Sequence, residues 1–334
     1  MKNLKVGLLG GGSWGTTVAS LVTRNAPVTL WARNPDTVEE INTLHTNERY
    51  LPGAKLPNKL VATNDIAEAV KGADVIVMAI PSQNFRSVLE EVREHIRAWV
   101  PVISLTKGLE LSTQMRMTEI VTEVLPGHPV GVLTGPNLAR EIMAGQAAAS
   151  VIAMEDDIIV KELQSIFKSG LFRVYTNNDV IGCELGGVLK NIIAIAVGMG
   201  DGQGAGDNTR SALITRGLAE VTRLGVAMGG RAETFAGLAG MGDMIATCTS
   251  PQSRNRHVGV ELGKGRDMED IVAEMVMVAE GAKSAPAVMA LSEKYGVAMP
   301  IASDVYRVLS RDDTASRAFR GLLRVSAGAE CEPG

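Results

Sequence analysis

Up to about residue 180 the chain alternates short β-branched apolar runs with stretches whose apolar positions fall three and four residues apart. The runs KVGLL, VTLWA, KLVAT, DVIVMAI, VISLT, VGVLT, AAASVIA and FRVYT predict strands, with helices between most of them. That rhythm predicts an α/β fold, a doubly wound Rossmann-type sheet over residues 1–180. From Asp179 onward β-rich runs largely disappear. Segments such as SALITRGLAEVTRLGVAMG and MEDIVAEMVMVAEGAKSAPAVMALSEKYG keep helical spacing, which predicts an all-α C-terminal domain over 181–325 and a frayed tail, SAGAECEPG, over 326–334.

Composition narrows the partners. The 334 residues carry 33 basic and 37 acidic side chains, a net charge of −4, so there is no broad electropositive face for nucleic acid or an anionic membrane. A small-molecule partner is expected. Cys183, Cys248 and Cys331 are odd in number and far apart, as reduced cytoplasmic thiols are, and match neither a disulfide framework nor a zinc site. The four histidines have no ligand spacing, so no metal is expected. The N-terminal apolar run breaks into glycines before signal-peptide length. VIVMAI and IIAIAVGMG are interior-sized, and no apolar segment is expected to approach the roughly 18–20 residues of a membrane span.

Gly10, Gly12 and Gly15 form GxGxxG between the strand KVGLL and the helical stretch TTVASLVTR. The first permits a tight turn, the second lets a pyrophosphate approach backbone, and the third lets helix pack on strand. Phosphate oxygens then face the positive end of a helix. This context predicts a dinucleotide cofactor, NAD or NADP. After the second strand come Arg33 and Asn34 instead of the carboxylate that accepts ribose hydroxyls, and Asp36 comes too late. A guanidinium there suits the 2′-phosphate of NADP, although it also reads as a solvated loop cation.

Several further positions carry candidate chemistry. Lys107 follows VISLT and would place a mobile cation at the carboxyl end of the sheet; Gly135, Pro136 and Asn137 follow VGVLT, where Asn137 could cap the helical stretch LAREIMAG. Lys190 lies within DVIGCELGGVLKNIIAIAVGMG, sharing its helical face with Cys183, Gly186, Gly187, Ala194 and Val197. Small and apolar surroundings would desolvate its ammonium and lower its pKa toward the range of a general acid/base, unless its stem carries the charge to the surface. Asn191 could orient the same substrate oxygen. Farther along, Ser253, Arg254 and Asn255 precede an apparent helix start and read either as the donor set a phosphate monoester needs or as a solvated basic loop. Asp243 is either a turn residue or, if buried near Lys190, the carboxylate that positions it. No nucleophile elbow, Walker loop or carboxylate pair points to hydrolysis or phosphoryl transfer, which leaves hydride transfer.

Taken together, GGGSWGT, VISLTKGLE, LKNIIAIAVGMGDG, GDNTRSALITRGLAE, LAGMGDMIATCTSPQSRNR, VAEGAKSA and MPIASDVYRVL resemble bacterial NAD(P)-dependent glycerol-3-phosphate dehydrogenase along nearly the whole chain. The resemblance implies interconversion of sn-glycerol 3-phosphate and dihydroxyacetone phosphate, supplying glycerol phosphate for phospholipid synthesis. It implies nucleotide contacts from Ser13, Trp14, Arg33, Tyr50, Ala139, Val278 and Glu280, with Lys107 and Gly135 bordering substrate and nicotinamide. It also implies Lys190 as general acid/base, Asp243, Ser253, Arg254 and Asn255 around the substrate, and Arg254 shared with the cofactor. Where many members read GPSFA or GPTFA this chain reads GPNLA, with Asn137 at a hydroxyl position. A homodimer through the helical half is expected. The rivals are a ketopantoate-type or other hydroxy-acid reductase, and a dinucleotide sensor without catalysis.

Overall fold

A computed structural model describes residues 4–275 and 279–322, with the side chains of 320–322 left out of the description. The tail 326–334, Cys331 and Val278 lie outside the described residues. By packing, the chain divides into two compact units: Met1–Thr106 with Arg116–Val180, and Lys107–Met115 with Ile181–Gly334.

The first unit holds strands β1 (Val6–Leu9), β2 (Val28–Trp31), β3 (Val61–Thr63), β4 (Val75–Met78), β5 (Val102–Ser104), β6 (Val130–Thr134), β7 (Ala148–Met154) and β8 (Phe172–Asn177). They form one sheet in the order β3-β2-β1-β4-β5-β6-β7-β8. β1 to β6 are parallel, in the strand order of a dinucleotide-binding sheet. β7 runs antiparallel to β6, and β8 parallel to β7, an extension that strand propensity alone does not orient. All four residues of β1 and of β4 are buried, as parallel strands covered on both faces require. The terminal strand β8 instead exposes Arg173, Tyr175 and Thr176, polar positions that suit an edge.

Helices of this unit are α1 (Ser13–Val22), α2 (Pro35–Leu44), α3 (Ile66–Val70), α4 (Ser82–Arg93), α5 (Met117–Val124), α6 (Ala139–Met143) and α7 (Asp157–Phe167). α2 starts where its sequence says it should: the Asn34 side chain accepts the Asp36 N–H at 2.9 Å and Pro35 occupies the first helical position.

The second unit is helical: α8 (Val180–Gly202), α9 (Asp207–Ala227), α10 (Ala232–Phe235), a π-helical turn Leu238–Gly242, α11 (Asp243–Thr249), α12 (Arg254–Gly263), α13 (Met268–Glu274), α14 (Glu280–Tyr295), α15 (Pro300–Leu309) and α16 (Ala315–Leu322). Its core gathers Leu185, Val188, Leu189, Ile192, Ile193 and Ile195 of α8 with Val221, Phe235, Val258, Val288 and Val305. α8 corrects one expectation, since its 23 residues are long and apolar enough to cross a membrane by length and composition. The shorter apolar runs hid this because glycines and isolated polar residues interrupt them. In the structure 94% of its most apolar 18-residue window is buried, so the helix spends its apolar surface inside the unit. Glu220 of α9 provides a second buried anchor: its carboxylate accepts the N–H groups of Ile301 and Ala302 at 2.7 and 3.3 Å, at the start of α15. Burial pushes its pKa up to about 7, against those two hydrogen bonds.

Candidate active site

The glycine loop ends β1. Gly10 has φ +121°, and a Cβ there would come within 2.8 Å of the Ala79 carbonyl carbon, so only glycine fits the turn. At Gly15 a Cβ would lie 2.9 Å from that of Ala79, which explains the third glycine as a helix–strand contact. A Cβ on Gly12 would meet nothing within 4 Å. That open space stands before the first turn of α1, whose N-cap is Gly12 and which no side chain caps. Trp14 Nε1 and Asn47 Oδ1 are buried without a partner among the described residues. A bare helix N-terminus, the open space over Gly12 and the orphaned Trp14 N–H donor together fit a dinucleotide phosphate, whereas Asn47 Oδ1, an acceptor, does not serve a phosphate oxygen.

Around this loop, Ser13 Oγ donates to the Tyr50 carbonyl at 2.7 Å, and Arg49 lies over the Tyr50 ring at 5.6 Å. Asn47 Nδ2 donates to the Gly11 carbonyl and to Thr16 Oγ1, both at 3.0 Å. Asn47 is fully buried and ties the 46–51 loop to the glycine turn, yet nothing in its sequence surroundings marks it. Arg33 is exposed just after β2.

At the end of β6, Gly135 has φ +134°, and a Cβ there would lie 3.2 Å from Ser150 Cα. Asn137 does not cap α6, contrary to expectation. The helix starts later, with Leu138 as N-cap and Ala139 as first residue, and Asn137 Oδ1 accepts the Ser150 hydroxyl of β7. Asn137 Nδ2 is left buried without a partner among the described residues. The pairing that sets β7 beside Asn137 is not visible in any local pattern, and it brings Ser150 to the oxygen that capping would have used.

In the second unit, Lys190 is 4% exposed and Asp243 2%. Lys190 Nζ donates to Asp243 Oδ1 at 2.6 Å and to Thr247 Oγ1, whose own hydroxyl donates to the Asp243 carbonyl at 2.7 Å. The other carboxylate oxygen, Oδ2, accepts Lys107 Nζ at 2.7 Å. Two ammonium groups thus share one buried carboxylate. Lys107 is therefore not the mobile cation expected of a loop end, because pairing with a desolvated charge holds it. Asn191 Nδ2 donates to the Lys107 carbonyl at 3.3 Å and anchors the same segment.

Asp243 reaches this position because a π-helical turn immediately precedes α11. Such turns re-aim the residues that follow them. Its passage is tight: a Cβ on Gly186 of α8 would lie 2.6 Å from the Ala239 carbonyl oxygen. Lys190 does not snorkel. Burial pulls its pKa down to about 8; Asp243 opposes the shift and Lys107 reinforces it. The neighbouring Cys248 thiol is pushed up to about 12 by burial, so it stays protonated and is no nucleophile at neutral pH.

Ser253 is the N-cap of α12, its Oγ accepting the Arg256 N–H at 3.2 Å, which leaves its hydroxyl proton to donate. Arg254 and Asn255 stand within the first turn, not ahead of it. Asn255 Oδ1 accepts the Gly281 N–H at 3.0 Å, so its amide presents Nδ2 as the donor. Gly281 in turn abuts Asn191, where a Cβ would lie 2.7 Å from the Asn191 carbonyl oxygen. The start of α14 therefore joins the lysine cluster to the serine–arginine–asparagine turn. Arg254 is exposed at its rim, while the protein around its head lowers its pKa and Glu280, first residue of α14, opposes that.

Residues 5–159 match the N-terminal domain described as NAD-dependent glycerol-3-phosphate dehydrogenase N-terminus, and residues 179–320 match its C-terminal counterpart. The chain belongs to the NAD-dependent glycerol-3-phosphate dehydrogenase family. It is 72% identical over 331 residues to glycerol-3-phosphate dehydrogenase (NAD(P)+) 2 of Sphingopyxis alaskensis, covering 99% of both chains. To the Mycobacterium avium glycerol-3-phosphate dehydrogenase (NAD(P)+) it is 52% identical, covering 99% of this chain and 97% of that one. The crystal structure of glycerol-3-phosphate dehydrogenase from Coxiella burnetii superposes with a TM-score of 0.92 at 38% identity, covering 96% of this chain and 99% of the other.

Within this glycerol-3-phosphate dehydrogenase family member, the candidates fall in both units. Gly10, Gly12, Ser13, Trp14, Gly15, Arg33, Tyr50, Gly135, Asn137 and Ala139 belong to the first; Lys107, Lys190, Asp243, Ser253, Arg254, Asn255 and Glu280 belong to the second. Sequence reasoning missed Thr247, Asn47 and Ser150. Thr247 was one helical turn from Asp243, a spacing that marks it only after Asp243 is known to face Lys190.

Proposed function

We propose that the chain reduces dihydroxyacetone phosphate to sn-glycerol 3-phosphate, and runs the reverse oxidation, with NADP or NAD as cofactor. The observation that carries this reading is the buried Lys190 ammonium, paired to Asp243 at 2.6 Å and tuned to about 8. The bound nicotinamide supplies or accepts the hydride. Lys190 donates a proton to the oxygen of the reduced carbonyl, and removes it in the oxidative direction. Lys107 adds positive charge where that oxygen becomes negative, and Asp243 holds both lysine heads in place. Ser253, Arg254 and Asn255 grip the phosphate; Gly135 and Asn137 complete the substrate contacts. Binding energy at the phosphate, remote from the reacting carbon, is available to orient it.

The glycine loop with Ser13, Trp14 and Tyr50 holds the dinucleotide, while Ala139, Val278, Glu280, Lys107 and Arg254 complete its lining. No metal takes part. The exposed Arg33 favours NADP. Replacing it by alanine should lower kcat/KM for NADPH about fivefold and leave NADH within about twofold, since one solvent-screened charge pair is worth roughly 1 kcal/mol. Equal effects on both cofactors would remove Arg33 from the 2′-phosphate.

The pH dependence follows from Lys190. Reduction needs the protonated ammonium, so kcat/KM for the ketone should be flat below about pH 8 and fall above it, approaching tenfold per pH unit. Oxidation needs the free amine and should rise through the same range. A Lys190 without this role would leave both profiles flat there.

The deciding assay follows NADH and NADPH oxidation with dihydroxyacetone phosphate and, in parallel, with 2-keto acids. Turnover of the phosphate ester alone supports the reading; turnover of keto acids alone replaces it. The protein is further proposed to be a cytoplasmic homodimer that supplies glycerol 3-phosphate for phospholipid synthesis. The net charge of −4 supports a freely diffusing enzyme over a nucleic-acid or membrane ligand.

A further inference from the structure

The first turn of α12 carries the three residues assigned above to phosphate, yet its strongest ion pair belongs to a fourth. Arg256 clamps Asp201 through Nε at 2.8 Å and Nη2 at 2.6 Å, both to Oδ2. Asp201 sits in the last turn of α8 with its side chain only 8% exposed. Its Oδ1 accepts Arg210 of α9 through Nε at 3.0 Å and Nη2 at 2.9 Å. Arg210 is also tied to Asp207. One nearly buried carboxylate therefore fastens two guanidinium groups from two different helices.

Backbone packing joins the same helices independently. A Cβ on Gly198 of α8 would lie 2.9 Å from Gly259 Cα of α12, and one on Gly202 would lie 2.9 Å from Gly263 Cα. Gln203 Nε2 donates to the Gly263 carbonyl. With no side chains between them, α8 and α12 touch along two turns, and the Asp201–Arg256 pair fixes how far one slides along the other. Lys190 stands on the same rigid helix as Asp201, about 16 Å away along its axis at 1.5 Å per residue. The height of the Ser253–Asn255 turn over Lys190 is thus set by contacts that no substrate touches.

We infer that Asp201 is a positioning residue for phosphate recognition: through Arg256 it places the Ser253–Asn255 turn, and it withholds Arg256 from the anion. This rests on the reading of the chain as a dihydroxyacetone phosphate reductase. The carboxylate offers two charged acceptor edges, one for each guanidinium. An amide at 201 offers one neutral oxygen and two N–H donors that oppose the guanidinium donors. Arg256 is then released beside Arg254, and the turn loses its stop.

The test compares two substrates that differ only in the phosphate. Asp201→Asn should lower kcat/KM for dihydroxyacetone phosphate at least tenfold while the slow reduction of dihydroxyacetone stays within twofold of wild type, because the Lys190 cluster is untouched. Arg256→Gln should reproduce this, and the double variant should be no worse than either single variant, the mark of two residues acting as one unit. If Asp201→Asn does not fold, Arg256→Lys, which keeps the charge but not the paired donors, is read in the same way. Equal losses on both substrates, no loss on either, or additive losses in the double variant would overturn the inference. A wild-type enzyme that reduces neither ketone would instead overturn the underlying reading, and this inference with it.

Discussion

Lys190→Ala should lose about a thousandfold or more in kcat for dihydroxyacetone phosphate reduction while NADPH still binds within about twofold of its wild-type affinity. General acid–base catalysis contributes about 100- to 10,000-fold, and the lost ammonium also removes charge stabilisation at the developing oxyanion. Lys190 belongs to the second unit and the glycine loop to the first, so the substitution leaves the loop's own contacts with Tyr50 and Asn47 intact. The variant should fold. Asp243 would keep Lys107 as its counter-charge, which avoids the about 3–5 kcal/mol cost of a buried carboxylate left alone. Fluorescence titration with NADPH and steady-state rates make the comparison; activity within tenfold of wild type would remove Lys190 from the proton transfer. Any activity that persists should also lose its pH dependence near 8, because the titrating group is gone.

Arg254→Ala should reduce kcat/KM for dihydroxyacetone phosphate by about 100- to 1,000-fold. Charge-assisted hydrogen bonds to a phosphate are worth roughly 1.5–3 kcal/mol each, and a guanidinium can make two in parallel. Arg254→Lys should recover only part, since an ammonium keeps the charge but not the paired geometry. Neither Ser253 nor Asn255 can compensate, because both are neutral and neither offers the paired charged donors of a guanidinium. Arg256 is two positions away but clamped by Asp201. A loss below fivefold would mean that the phosphate is held elsewhere. A loss confined to cofactor affinity would assign Arg254 to the nucleotide alone.

Much of the frame was legible from the chain itself. The eight strand runs were each found within a residue or two because short runs rich in β-branched residues, bounded by glycine or polar residues, read as strands. Gly10 and Gly15 were legible because turn geometry and close packing admit no side chain there. The Lys190 environment was half legible: helical spacing predicted small and apolar neighbours, but left open whether Asp243 was a turn residue or the carboxylate beside the ammonium. The antiparallel entry of β7 was not legible, since a strand's direction depends on where its connection lands and not on its residues. The same holds for Asn137, whose partner Ser150 came from the neighbouring strand.

What the sequence by itself determined is what acts over a few residues: element type, the glycine turn, the cap at Asn34, and the presence of an amine and a donor triad in a helical half. Only the tertiary structure decided which charges meet. Asp243 lies 53 residues from Lys190 and 136 from Lys107, yet pairs with both. Ion pairing and desolvation depend on separation in space over a few ångströms, and separation along the chain carries no trace of it.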